Sequence, residues 1–489
     1  MSVDENAYSL LMRDPRWSGN INAISNLPSA PVAMPAIVGG AVRDAVLGRS
    51  IRDIDIATGS PGTAGKLARQ FAENTGSHYV EYSHHQTIYR VVAKDEPQFD
   101  FTDPVGGDRE SDLKRRDFTI NSMAVELIGT GKGILIDPCG GMGDLQKKIV
   151  RINNPDVLDN DPLRMLRAFR FSGELGFSID PGTIDEIKKR VPLLRNVSGE
   201  RIQLELLLAL EPENAADRIL ELADSGILFT LIPELSMQVD VGQNSYHHLD
   251  VWRHTLEVVR IFEKVLSLED DLLQPYRDRL DEYINFKYQS GHSRRSLMLL
   301  GALTHDIAKP HTKETREDGR ITFIGHERLG AEFMKEILDR LRFPHYEIDF
   351  IKDMIQGHLR PGMITHKKKS RPKIAYRFFR DFEDAAVAII LLSIADRGAA
   401  QGEMVTEEIN RRHLESVSFL LECYYDKTDI VVRPPTLIDG TVLIEKLNLE
   451  PGPIIGNLLN RVAEAQVMGE ISTPDEALAF CRAITLSEL

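Results

Sequence analysis

The feature that most constrains this chain is a change of pattern near residue 155. Before it, short β-rich runs alternate with helical segments; after it, almost only helical periodicity remains. Ala36-Ile37-Val38 reads as a strand running into Gly39-Gly40 and then a helix through Val46. Asp53-Ile54-Asp55-Ile56-Ala57 alternates acidic and apolar residues, as a half-buried strand does. Thr87 to Val92 and Gln98 to Phe101 predict two more strands, and Ile134 to Asp137 with Ile149 to Ile152 close the region. The expected fold is therefore α+β: a small mixed sheet with helices, followed by an all-α body. A chain of 489 residues exceeds one ordinary core. The pattern divides it into 1–155, 156–235, 236–400 and 401–489, with Pro434-Pro435 ahead of the last helices. Leu266 to Ser293, rich in charge, is expected to form a long helix pair or an insertion.

Composition excludes several classes. No run of about 18 apolar residues is present, so no membrane span is expected. The N-terminus lacks the basic-then-apolar order of a signal peptide. Cys139, Cys423 and Cys481 match neither a disulfide framework nor a zinc site, so a reducing cytoplasm is the expected location. The net charge of −15 argues against a nucleic-acid partner only if basic residues are evenly spread. They cluster instead at Lys114-Arg115-Arg116, at Arg164, Arg167 and Arg170, and at Lys367-Lys368-Lys369 with Arg371 and Lys373.

The first chemical signal is a carboxylate pair. Side chains two apart on a strand share a face, which places the Asp53 and Asp55 Cα atoms about 6.6 Å apart. Both carboxylates can then reach a pair of hard cations held about 3.5–4 Å apart, as in two-metal enzymes. Mg²⁺ suits such oxygen ligands. Upstream, Gly39 and Gly40 sit at a strand-to-helix turn, where a backbone without Cβ atoms can approach a triphosphate closely. Alone, a D-x-D is more often a solvated strand edge.

Gly39-Gly40-Ala41-Val42-Arg43-Asp44 followed by Asp53-Ile54-Asp55 closely resembles the first motif of class II nucleotidyltransferases. These are the bacterial and eukaryotic CCA-adding enzymes and the bacterial poly(A) polymerases, within the DNA polymerase β superfamily. Lys114 through Ala124 resembles the second motif, in which Arg116 would grip phosphate or ribose oxygens and Asp117 would accept from a ribose hydroxyl. Asp137-Pro138 with Gly141 to Leu145 resembles a structural turn closing the catalytic sheet. Asp161 through Phe171 resembles the base-reading helix, with Asp161 and Arg164 three apart on one face. An acceptor beside a donor would take cytosine and adenine and leave buried polar groups unpaired against guanine or uracil. The bland reading of that pair is an intrahelical ion pair. Arg167 and Arg170 would contact the triphosphate or brace the fold. Val197 to Leu206 resembles the last shared motif, with Ser198 expected as an N-cap.

A second constellation follows. His254, His305, Asp306 and Asp396 resemble the ligand order of HD-superfamily phosphohydrolases, and His326 and His358 stand where two-metal members place extra ligands. Mixed imidazole and carboxylate donors suit Mn²⁺, Ni²⁺, Fe²⁺ or Zn²⁺ better than Mg²⁺ alone. The resemblance implies hydrolysis of phosphate esters at RNA ends, or else an RNA-binding scaffold with a vestigial metal site.

Together these resemblances imply a tRNA 3′-terminal nucleotidyltransferase that adds C, A or both from CTP and ATP, as a monomer or homodimer. The domains would be a catalytic head, a helical neck, an HD domain and an RNA-binding tail. Poly(A) synthesis is the alternative within the family; an HD phosphohydrolase with a nucleotide-binding head is the alternative outside it. The stretch Gln86 to Val92 lacks the Arg-rich strand common in poly(A) polymerases. Only Thr102 through Leu113 separate Phe101 from Lys114, where complete CCA-adding enzymes usually carry a longer loop. Enzymes adding only CC commonly lack that loop, so the resemblance leaves CC addition and full CCA addition both open.

Overall fold

The computed structural model describes residues 3–83, 87–92, 98–129, 131–364 and 370–487. The lysine run at 367–369 and Gln86 lie outside the described residues. The chain forms two compact units, one of residues 1–197 with 225–227, the other of residues 198–224 with 228–489. Residues 156–197 and 225–227 of the expected neck thus fold with the head, and residues 198–224 and 228–235 belong to the helical unit.

In the first unit seven strands form one sheet: β1 (Ala36–Val38), β2 (Ile54–Ala57), β3 (His78–Ser83), β4 (Thr87–Val92), β5 (Gln98–Thr102), β6 (Ala124–Leu127) and β7 (Gly133–Ile136). Their order is β3-β4-β5-β2-β1-β6-β7. Every pairing is antiparallel except β2 with β5, which makes the sheet mixed. Central β1 is buried on both faces, and Trp17, Phe71, Phe99 and Phe101 pack as an aromatic core beside it. Residues 149–150 do not join this sheet; they pair with Ser178–Ile179 in a separate two-stranded ladder. Two helices frame the cleft described below, α1 (Gly40–Val46) and α2 (Arg164–Leu175).

The second unit is helical, apart from a small hairpin of Glu314–Thr315 with Ile321–Thr322, a signal the sequence reading missed. Its centre is α5 (Ala386–Ala399), a helix buried nearly all round and so apolar on every face. Against it pack α3 (Val251–Leu266) and α4 (His345–Gly357). The charge-rich stretch from Leu266 to Ser293 is not a long helix pair. It holds one 3₁₀ turn and one helix, Arg277–Ile284, and closes with a bridge between Lys287 and Ser293. Ser198 stands at the N-cap of helix Gly199–Leu210, but its side chain makes no capping hydrogen bond. No described helix is long and apolar enough to cross a membrane.

Candidate active sites

Asp55 lies on β2, paired in register with Val38 on β1 and with Asp100 on β5. Asp53 immediately precedes that strand and is exposed, while Asp55 is half-buried. The parallel register sets Asp100 beside Asp55, so a third carboxylate belongs to the group. Burial pushes the Asp55 carboxyl up to about 6, with Asp53 and Asp100 adding to the rise and Arg116 opposing it. A cation relieves such carboxylate crowding, so the donor set fits a divalent metal. Asp100 also accepts two hydrogen bonds from Arg90, both at 2.8 Å.

Gly39 is the turn that brings these groups together. Its φ of +74° belongs to the region that favours glycine, and a Cβ there would lie 3.0 Å from an Arg116 Nη1 and 4.0 Å from an Asp55 Oδ2. Arg116 therefore packs against the glycine turn, its guanidinium held by Asp112 at 3.3 Å.

These residues line a cleft of about 570 Å³ that also takes in Gly40, Arg43, Asp117, Asn121, Arg164, Arg167 and Arg170. A connected polar network crosses its floor. Arg43 donates to Asn121 Oδ1 at 2.7 Å, Asn121 donates to Asp117 Oδ1 at 3.2 Å, and Arg167 donates to Asp117 Oδ2 at 2.8 Å. Asp117 also accepts from the Phe118 amide at 2.8 Å. Burial would raise its pKa, but Arg167 and these donors outweigh burial and hold it below the ordinary carboxylate range. Both Asp117 oxygens thus have protein partners, and the residue braces the cleft arginines. The guanidiniums of Arg43, Arg167 and Arg170 lie 5.1, 5.4 and 4.4 Å from the Phe171 ring centroid, a cation–π arrangement that fixes their direction.

Asp161 and Arg164 do not share one helix. Asp161 sits in the break between helix Asp156–Asn160 and α2, with extended backbone (φ −147°, ψ 95°). Pro162 explains this, because the residue before a proline is pushed out of the helical region. Arg164 opens α2, lines the cleft, and donates to the carbonyls of Val157 and Arg115 at 3.1 and 3.2 Å. Asp161 does not line the cleft.

The connection from β5 to helix Arg109–Lys114 is short and tied down. Asp103 accepts from the amides of Thr63 and Ala64 at 3.0 and 2.9 Å. Asp108 caps the helix through the Ser111 amide at 2.9 Å, and buried Arg109 bonds both Glu126 and the Met34 carbonyl.

In the helical unit the six expected ligands converge. His254 on α3 lies 3.0 Å from Asp396 on α5 and 3.8 Å from Asp306. His305 Nε2 lies 3.1 Å from Asp306, and His326 Nε2 lies 3.2 Å from the other Asp306 oxygen and 3.3 Å from His358 Nε2. His305, His326 and His358 each direct Nδ1 at the carbonyl three residues earlier, at 2.7, 2.6 and 2.6 Å. Those carbonyls fix Nδ1 as the donor, so the Nε2 lone pairs face Asp306 and one another. Without a metal, a proton on His305 relieves the crowding at Asp306, and a cation would relieve it in the proton's place; the donor set fits one or two transition-metal ions. Burial pushes His358 down to about 3; burial also works against His305, but Asp306 and Asp396 outweigh it and raise that imidazole. Lys309 Nζ, 2.6 Å from Asp306, is a further buried charge at this centre. His247, which the sequence reading passed over, also faces the centre, grouped with His254 and Asp396.

A mixed sheet carrying clustered carboxylates beside an arginine-lined cleft is the arrangement of a polymerase-type nucleotidyltransferase head. The comparisons agree. The poly(A) polymerase head domain model matches residues 36–151, the probable RNA- and SrmB-binding site of polymerase A residues 176–238, the HD domain residues 251–401, and a putative second tRNA nucleotidyltransferase domain residues 329–481. The A-adding tRNA nucleotidyltransferase of Deinococcus radiodurans is 31% identical over 91% of this chain and 94% of its own. The CC-adding tRNA nucleotidyltransferase of Thermus thermophilus is 30% identical over 91% and 92%. The structure of the Thermotoga maritima CCA-adding enzyme complexed with tRNA shares the fold, with a TM-score of 0.62 and 21% identity over 99% of this chain and 100% of that one. The chain belongs to the class II tRNA nucleotidyltransferase family, the HD-containing kind, and is an enzyme of nucleotidyl transfer.

Proposed function

We propose that the head transfers CMP or AMP from CTP or ATP to the 3′ end of tRNA, with Asp53 and Asp55 as the metal-holding carboxylates. The observation that carries this is the crowding of Asp53, Asp55 and Asp100 beside Arg116 at the Gly39 turn. Mg²⁺ bound there would activate the terminal 3′-hydroxyl and neutralise charge on the reacting phosphate. Gly39 and Gly40 leave room for the triphosphate; Arg116 and Arg43 lie where its oxygens would be gripped. Arg164 presents donors to the base edge, while Arg167, held by Asp117, and Arg170 form the opposing basic wall. Asp161, whose Oδ1 accepts from the Leu163 amide at the start of α2, would contribute to base choice beside Arg164. We assign Asp117 to bracing rather than to direct ribose contact.

Two readings of the added nucleotides each have a specific support. The short, anchored connection after β5 favours CC addition. The relative named as A-adding favours addition of the terminal A. Offering tRNAs that end before CCA, after C and after CC, with each nucleotide separately, distinguishes them by product length. Growth by two residues with CTP supports the first reading; growth of only the CC-ended tRNA with ATP supports the second. Long adenylate tails would replace both with poly(A) synthesis.

In the helical unit we propose a metal-dependent phosphohydrolase that uses His254, His305, Asp306, His326, His358 and Asp396. Mn²⁺ or Ni²⁺ held there would supply an activated water and polarise the phosphate. Lys309 adds positive charge for the ester oxygens. Release of inorganic phosphate from a nucleoside 3′-phosphate, lost in Asp306→Ala, is the expected result; unchanged release would reject the assignment. The enzyme is expected to work in the cytoplasm, as a monomer or homodimer.

A further inference from the structure

Resting on the reading of the HD centre as metal-holding, we propose that His247 is a seventh protein ligand, completing the coordination of the ion held by His254 and Asp396. Donor atoms of His247, His254 and Asp396 all lie within 4.8 Å of one another, and His247 lines the same cavity as Asp306, His326 and His358. Nothing in the HD ligand order anticipates this residue, which precedes α3 in a loop.

The loop is built to hold that imidazole. His247 Nδ1 lies 3.0 Å from Asn244 Oδ1, and an amide oxygen only accepts, so Nδ1 carries the proton and Nε2 the lone pair. The loop backbone is fixed from the other side by residues 402–404. The Gly402 amide donates to the Tyr246 carbonyl at 2.9 Å and the Met404 amide to the Ser245 carbonyl at 3.1 Å. A Cβ at position 402 would come within 2.3 Å of the Ser245 carbonyl oxygen and 2.6 Å of the His247 amide, so only glycine permits this approach. At its start the loop is tied by Gln243, whose side-chain oxygen accepts from Lys309 Nζ at 2.8 Å. Lys309 also contacts Asp306, so the loop and that carboxylate share one partner. A solvated surface histidine needs none of these restraints.

The test counts and weighs metal ions. The protein carrying Asp53→Ala and Asp55→Ala, to silence the head, is stripped of metal and reloaded with Mn²⁺, with stoichiometry and chelator competition read together. The expected result is two ions in this background and two in His247→Ala, one of them bound about 10–100-fold more weakly. Asn244→Ala, which keeps the imidazole but frees its orientation, should weaken the same ion in the same direction, and melting temperatures of the stripped proteins confirm folding. Equal affinities in all three proteins would overturn the proposal. Three ions falling to two in His247→Ala would overturn it in favour of a separate site. No ion bound before His247 is changed would reject the HD reading itself, a different failure.

Discussion

The two metal-type centres of this chain solve the same problem with opposite materials. In the head, the carboxylates of Asp53 and Asp55 stand at the edge of an open, arginine-lined cleft, with Asp100 of β5 beside Asp55. In the helical unit, imidazoles from separate helices enclose a buried aspartate. Hard oxygen donors at an accessible strand suit Mg²⁺, which keeps waters and shares its coordination with a polyphosphate. Imidazoles locked by carbonyl contacts suit a resident transition metal that stays while substrates come and go. The contrast also explains why net charge misleads here. The chain is acidic overall, yet arginines are concentrated where phosphate would lie.

That comparison can be broken in a graded way. The largest effect expected is from Asp306→Ala, which should lower phosphate release by on the order of 10³-fold while leaving nucleotide incorporation within a factor of about two. Loss of both activities would mean the centres are not independent. Next, Arg167→Ala removes the charged partner of buried Asp117. Arg167 is partly exposed, so a loss of roughly 1–3 kcal/mol in urea unfolding is expected, together with weaker CTP binding.

A smaller effect concerns pH. The Asp55 carboxyl is raised from 3.8 to about 6. A raised acid favours the protonated folded state, so the metal-free protein gains stability as pH falls from about 6 towards 4. Metal must displace that proton, so the Mg²⁺ needed for half-maximal incorporation should rise below pH 6 by up to about tenfold per unit. A flat requirement between pH 5 and 7 would contradict the electrostatics drawn for Asp55. The smallest effect belongs to Ser198→Ala, expected to change stability by less than about 0.5 kcal/mol because its side chain makes no capping bond. A loss near the usual capping value of about 1 kcal/mol would show that a cap forms in solution.

Much of this was legible in the sequence where the determinants are local. The glycine turn, the alternation around Asp55 and the switch to helices each follow from a few consecutive residues, and the structure places them as expected. What was not legible depends on partners far apart in sequence. Asp100 joins Asp55 only through the β2–β5 pairing, and Asn121 joins Arg43 only because the 3₁₀ turn Thr119–Asn121 and α1 meet at the cleft. His247 becomes interesting only when Gly402 clamps its loop. The placement of Asp161 off the helix has another cause. Spacing suggested one helical face, but Pro162 sets the local backbone, and proline geometry overrides periodicity.

The central claim, that Asp53 and Asp55 carry nucleotidyl transfer, is tested most directly by labelled CTP and ATP incorporation into tRNAs lacking part or all of CCA. The protein with both aspartates changed to alanine, confirmed as folded by its retained phosphate release, should incorporate neither nucleotide. Incorporation at the unmodified rate would contradict the account at its root.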